Sequence, residues 1–164
     1  MLSSLLGRWS AGGPVYVGIR RKELIVRHLG TGESVCWPAA IATDVTGVRV
    51  TALGREATAR AGDQIHWPFN HPRTLVDNFQ LAEKLLQGAF REVSGKSFLR
   101  SSPAVVMHSL ETWEGGLTAI EWRVLRELAY GAGAREVYLW QGSPPSDEAL
   151  RSGEFKRSTY LVKS

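Results

Sequence analysis

Four groups of residues have types and spacings that could support chemistry. His66 and His71 lie within His66-Trp67-Pro68-Phe69-Asn70-His71-Pro72. Two imidazoles can ligate a transition metal, but a structural or catalytic zinc needs three or four protein ligands. No cysteine or third ligand accompanies the pair, so a packed surface connector is the expected reading. Gly30-Thr31-Gly32 is small and flexible enough to approach phosphate, yet it lacks the full phosphate-loop pattern and falls between two expected strands. Arg20-Arg21-Lys22 could attract phosphate electrostatically, but without enclosure or a metal-binding acid. Cys36 is the only cysteine; it excludes an internal disulfide, fits a reducing compartment and is not expected to be a nucleophile. No residue is therefore assigned as catalytic, cofactor-binding or metal-binding, and no cofactor is expected.

The elements that must position these groups follow from hydrophobic periodicity. Val15 to Ile19 reads as a central strand, closed by the polar turn Arg20-Arg21-Lys22 and followed by Leu24-Ile25-Val26, Val35 to Ile41 and Val48 to Leu53. Gly54 precedes a brief helix over 55–60, and Gln64 to Arg73 reads as an irregular connector. A helix is expected from Leu75 to Val93, with Leu75, Phe79, Ala82, Leu85, Leu86, Ala89, Phe90 and Val93 as its apolar stripe. The remainder alternates strand, helix, strand: Ala104 to Met107, Thr118 to Tyr130, then Val137 to Trp140. Thr118 and Glu121 have capping-box spacing, and the apolar residues of this helix include Ile120, Val124, Leu125 and Leu128. That order predicts a layered α/β domain with a helix crossing between parallel strands.

A chain of 164 residues fits one domain, and 43% hydrophobic with 22% charged residues is ordinary globular composition, with no apolar run long enough to span a bilayer. Its net charge of +4 is uneven: residues 1–30 hold five basic and one acidic side chain, 31–150 hold 11 basic and 14 acidic, and 151–164 hold four basic and one acidic. A nucleic-acid binder concentrates basic groups on its folded body, so this distribution argues against nucleic acid and leaves an anionic membrane surface open. Leu2, Leu5, Leu6 and Trp9 share one helical stripe with Arg8 beside them, and Gly12-Gly13-Pro14 detaches this piece. It reads either as a short interfacial helix with these five residues contacting membrane, or as a terminus folded onto the domain. The expected division is a membrane-associating segment over 1–13, a domain over 14–145 and a charged tail over 146–164. Arg151, Lys156, Arg157 and Lys163 lie in that tail, which is expected to be a solvated end.

Several segments resemble the first domain of the MreB family, the bacterial actin-like rod-shape-determining proteins. They are Gly131-Ala132-Gly133-Ala134-Arg135-Glu136-Val137-Tyr138-Leu139, Thr118-Ala119-Ile120-Glu121-Trp122-Arg123, Ser97-Phe98-Leu99-Arg100-Ser101-Ser102-Pro103, Glu83-Lys84-Leu85-Leu86-Gln87 and Val50-Thr51-Ala52-Leu53-Gly54-Arg55-Glu56-Ala57. The N-terminal stripe resembles the membrane-binding helix of some members. The resemblance implies an actin-like ATPase (ribonuclease H-like) half, a mixed sheet with packed helices, equivalent to one domain of a two-domain actin fold. Full members clasp ATP and a divalent ion between two domains and form membrane-attached filaments.

Departures from the family pattern set the functional expectation. The family's opening strand ends in Asp-Leu-Gly-Thr; here Gly18-Ile19-Arg20-Arg21 puts glycine at the acid and arginine at the glycine. After the last strand the family carries Ile-Glu-Glu-Pro, whose second glutamate positions water. Here Gln141 falls at the first glutamate and Gly142 at the second, and glycine cannot orient water through a side chain. The second phosphate loop and adenosine pocket belong to a second domain for which no counterpart is expected here. The resulting expectation is a non-catalytic MreB-like protein, a pseudo-ATPase, interacting with a cell-shape or cytoskeletal assembly. Its partners would be a second copy or a full-length bacterial actin homologue, in the cytoplasm and peripherally at the inner membrane. The alternative is an ATP-binding or weak ATPase module completed by a partner or by oligomerisation.

Overall fold

The computed structural model describes residues 13–95 and 102–158. Leu2, Leu5, Leu6, Arg8 and Trp9 lie outside the described residues, as do Ser97 to Ser101 and Lys163. Eight strands and five helices follow in the order β1 (Val15–Ile19), β2 (Glu23–His28), β3 (Ser34–Pro38), β4 (Ile41–Thr43), β5 (Val50–Leu53), α1 (Gly54–Thr58), β6 (Gln64–His66), α2 (Phe79–Ser94), β7 (Ala104–Ser109), α3 (Ala119–Gly131), β8 (Glu136–Trp140), α4 (Asp147–Ser152) and α5 (Phe155–Ser158).

The main sheet is mixed, ordered β3-β2-β1-β7-β8. β2 pairs antiparallel with β1 and β3, whereas β1, β7 and β8 run parallel. Side chains alternate across it as the pleat requires. Val15, Val17, Ile19, Leu24, Val26, Val105, Met107 and Leu139 face one side and bury against Leu85, Leu86, Ala89, Phe90 and Val93 of α2 and Leu125 and Leu128 of α3. Tyr16 and Val106 face the other side and meet Leu150 and Phe155 from α4 and α5. A smaller antiparallel sheet, β5-β4-β6, encloses an alanine-rich cluster of Ala40, Ala42, Ala52 and Ala57.

The structure departs from the sequence-based reading at five places. The expected strand Val35–Ile41 is two strands on different sheets, because Pro38 has no N–H to continue the ladder and the chain turns at Ala39-Ala40. Within the expected irregular connector, Gln64–His66 forms β6, paired with β4. α2 begins at Phe79 rather than Leu75: the Asn78 side chain accepts from Leu81 N at 3.0 Å, while Leu75 is buried from the preceding loop. Ile120 is 75% exposed, and Trp122 takes the buried position of that first helical turn. Finally, the tail is not simply a solvated end over its described part, since Leu150 and Phe155 are buried.

Candidate functional site

The three parallel strands finish together, and ligands of open α/β sheets bind in the crevice outside such carboxyl ends. Here the crevice is bounded by the β1–β2 turn, the loop from Leu110 to Leu117, and the loop after Trp140. The turn is tight: Arg20 N donates to Glu23 O at 2.8 Å, and the Arg20 side chain pairs with Glu23 at 3.3 Å. Leu110 N donates to Ile19 O at 2.8 Å, stitching the second loop to the end of β1. Arg21 N donates to Glu111 Oε1 at 2.8 Å, and the Arg21 guanidinium lies 5.5 Å from the Trp113 ring centre. The three basic residues of the turn are therefore held in contacts that do not converge on an anion: Lys22 sits over Trp67 at 5.5 Å.

Behind the turn lies a buried polar chain. Tyr16 Oη is 2.9 Å from His108 Nδ1, and His108 Nε2 is 2.9 Å from the Gly142 carbonyl oxygen. A carbonyl only accepts, so Nε2 carries the proton and Nδ1 accepts from the tyrosine hydroxyl. Burial holds the His108 imidazolium below the ordinary value of 6.5, against the opposing pull of the Gly142 carbonyl. Burial also pushes the Tyr16 hydroxyl up to about 12, with Arg27 and Arg20 acting in the other direction. The network is therefore neutral and links β1, β7 and the loop after β8.

Gly18 sits beside this chain on the same face of β1. A Cβ at position 18 would lie 2.8 Å from Leu110 Cδ1 and 3.1 Å from Tyr16 Oη. The space into which an acid would project is thus filled by a leucine methyl and the tyrosine hydroxyl. At the far end, Gly142 adopts φ +100°, and the Gln141 amide makes no hydrogen bond among the described residues. A cavity of about 460 Å³ opens between the loops, walled by Trp113, Trp122, Trp140 and Leu117.

The other candidate groups have structural employment. His28 Nδ1 accepts from Gly30 N and Thr31 N at 3.1 Å each, and Thr31 Oγ1 donates to Val93 O, so Gly30-Thr31-Gly32 is a histidine-capped turn. His66 Nε2 contacts Thr43 Oγ1 at 2.9 Å, whereas His71 Nδ1 accepts from Arg73 N and Thr74 N. The two imidazoles do not converge, and no cluster of three metal-ligating side chains occurs among the described residues. Cys36 is exposed on edge strand β3, its thiol directed to Glu23 Oε1 at 3.3 Å; burial and that carboxylate raise its pKa, which opposes thiolate formation. No helix among the described residues is long and apolar enough to cross a membrane.

The sequence-based reading missed the Tyr16–His108–Gly142 chain. Residues 16 and 108 are 92 positions apart, and only the parallel pairing of β1 with β7 brings them together. It also missed the tryptophan-lined cavity, whose walls come from one loop, one helix and one strand.

No family model matches the chain. It is 42% identical over 65 residues to the cell shape-determining protein MreB of Escherichia coli (strain K12), a match that covers 40% of this chain and 18% of that protein. A second relative, the uncharacterized protein YjaA of the same organism, is 30% identical over 123 residues, covering 72% of this chain and 75% of YjaA. Among solved structures, MreB5 of Spiroplasma citri bound to ADP superposes with a TM-score of 0.62 at 17% identity, covering 78% of this chain and 37% of that one. The same protein bound to AMPPNP gives 0.63 at 16%, covering 78% and 38%. The fold is thus the actin-like, ribonuclease H-like half, and the match spans less than a fifth of the length of the MreB relatives. The chain belongs to the same family as YjaA and is a partial homologue of MreB, related to its N-terminal actin-fold domain.

Proposed function

We propose that this chain is a non-catalytic MreB-like protein that engages a cell-shape or cytoskeletal assembly. The carrying observation is the occupied position beside Gly18: Leu110 and the Tyr16–His108 pair fill the place where the resembled enzymes need a metal-binding acid. Gly142 supplies no carboxylate for water, and Arg20, Arg21 and Lys22 are held by Glu23, Trp113 and Trp67. Phosphoryl transfer depends on positioned electrostatics, which these contacts do not provide. The partner is a full-length bacterial actin homologue or a second copy of the chain. Its location is cytoplasmic and peripheral to the inner membrane, with Leu2, Leu5, Leu6, Arg8 and Trp9 meeting anionic lipid.

The test is co-sedimentation of the purified chain with filaments of a bacterial actin homologue. Saturable pelleting is expected, and failure to pellet across a filament titration, together with a monomeric chain, would remove the proposal. Replacing Leu5 and Trp9 with charged residues is expected to abolish pelleting with anionic vesicles; unchanged pelleting would remove the membrane part. The alternative, an ATP-binding or weak ATPase module completed by a partner, is favoured by the nucleotides bound to the MreB5 structures. Magnesium-dependent, saturable ATP binding in the presence of the partner would establish it instead.

A further inference from the structure

We propose that the outer edge of β8 is covered by the chain's own C-terminal segment, Thr159-Tyr160-Leu161-Val162-Lys163-Ser164, added as a sixth strand of the main sheet. An open edge presents unpaired N–H and C=O groups, and the other edges of the two sheets are blunted against pairing. β3 ends at Pro38, which has no N–H, and Arg55 donates to the Cys36 carbonyl at 3.5 Å. On β5, Arg60 donates to the Thr51 carbonyl at 3.1 Å, and β6 is only three residues long. β8 has none of these devices. It runs five residues in unbroken register with β7 and holds no proline or lysine. Its backbone has no other hydrogen-bond partner among the described residues. Alternate residues of a parallel strand direct both backbone groups away from the neighbour, so every second residue of β8 presents them outward.

Three points select the occupant. The first is where the segment starts. α5 ends at Ser158, and its Phe155 ring lies 4.9 Å from the ring of Tyr138, in the middle of β8. Thr159 therefore leaves α5 within about 5 Å of rise from Phe155. Two linking residues leave four to pair, which span about 13 Å against about 17 Å for the five of β8. The second is composition. Both faces of the sheet are apolar at this edge: Val137 and Leu139 join the core under α2 and α3, Tyr138 and Trp140 the layer under α4 and α5. A strand covered on both faces needs a continuous apolar run rather than an alternating one. Tyr160-Leu161-Val162 is such a run, with an aromatic and a β-branched residue that favour the pleated state. The third is the tether. A short linker holds the segment near β8 at about millimolar effective concentration, so it takes the edge ahead of a second copy at about micromolar concentration.

This cover is independent of the filament and lipid binding proposed above, so the failure of either leaves the other standing. The test is amide hydrogen exchange of the full chain, read residue by residue by NMR, with the mass of the particle followed by light scattering. With the edge covered, the amides of Val137, Tyr138, Leu139 and Trp140 are all expected to be protected, to the same degree at about 20 and about 500 μM. In an added strand alternate N–H groups face β8, so one of the separate substitutions Leu161→Pro and Val162→Pro removes a ladder donor. That variant is expected to speed exchange of the outward β8 amides about ten-fold or more, while the β7-facing amides stay protected as the check on folding. Unprotected exchange at every second β8 amide of the unaltered chain would overturn the proposal, as would unaltered exchange in both proline variants. Protection that rises with concentration alongside a dimer mass would also overturn it and assign the edge to a second copy.

Discussion

Replacing Phe155 by alanine tests whether the C-terminal helices are part of the domain's core. The ring is 1% exposed and meets Tyr138 edge-on at 4.9 Å with an interplanar angle of 68°. Truncating a buried phenylalanine costs about 3–5 kcal/mol, of which the aromatic pair accounts for about 0.5–1.5 kcal/mol. For a domain of this size each kcal/mol moves the melting temperature by about 2–4 °C, so a fall of roughly 6–20 °C is expected. The assay is thermal unfolding followed by circular dichroism, with hydrogen exchange across α4. The exposed residue Arg151→Ala, in the last turn of α4, is the control and is expected to stay within about 0.5 kcal/mol. A drop below about 2 °C for Phe155→Ala would refute the reasoning. So would faster exchange confined to α4 with the melting temperature unchanged, because the helices would then be an appendage and not a second layer.

Three further substitutions probe the site and its frame. Gly54→Ala is expected to destabilise by about 1–3 kcal/mol in chemical denaturation, because Gly54 has φ +58° and a Cβ there would lie 2.8 Å from the Trp37 ring. Tyr16→Phe removes the donor to His108 Nδ1 and is expected to cost about 1–3 kcal/mol, measured the same way at pH 7.5. Burial holds His28 and His108 below 6.5, so in acid the unfolded chain binds protons that the folded chain refuses. Stability is then fully present above 6.5 and declines as pH falls through 6.5 toward the folded values; a midpoint in urea that does not fall between pH 7.5 and 5.5 would contradict this. Thr118→Ala removes the hydroxyl that accepts from Glu121 N and donates to Glu121 Oε2, leaving the Thr118 N–H bond to that carboxylate, and is expected to cost about 0.5–2 kcal/mol, read as a lower urea midpoint.

The elements legible in the sequence are those whose cause is local. The capping box at Thr118, the end of α2 near Gly95 and the apolar runs of β1 and β7 need only a few consecutive residues to specify them. Elements that depend on a distant partner were harder to read. Gln64–His66 is a strand because β4 lies beside it, and nothing in Gln-Ile-His demands that state by itself. α2 illustrates the same limit from the other side: Leu75 fits the helical stripe, but its burial is satisfied from a loop that Asp77 N anchors to the Pro68 carbonyl at 2.7 Å. Periodicity reports that a residue is buried, not which backbone conformation delivers it there.

By itself the sequence determined the fold class, and its resemblance to the MreB family set the expectation that Gly18, Arg20 and Gly142 stand where members of that family carry an acid, a small loop residue and a carboxylate. The tertiary structure decided what lies beside Gly18. Tyr16, His108 and Leu110 converge there because parallel strands align residues far apart in the chain, and Leu150 and Phe155 close the opposite layer by packing against Tyr16, Val106, Tyr138 and Trp140, with Arg27 of β2 paired to Asp147 at the start of α4. Hydrogen-bond register and side-chain direction are set by the partner strand, so the composition of a buried site at a sheet's end is a property of the pairing rather than of any one segment.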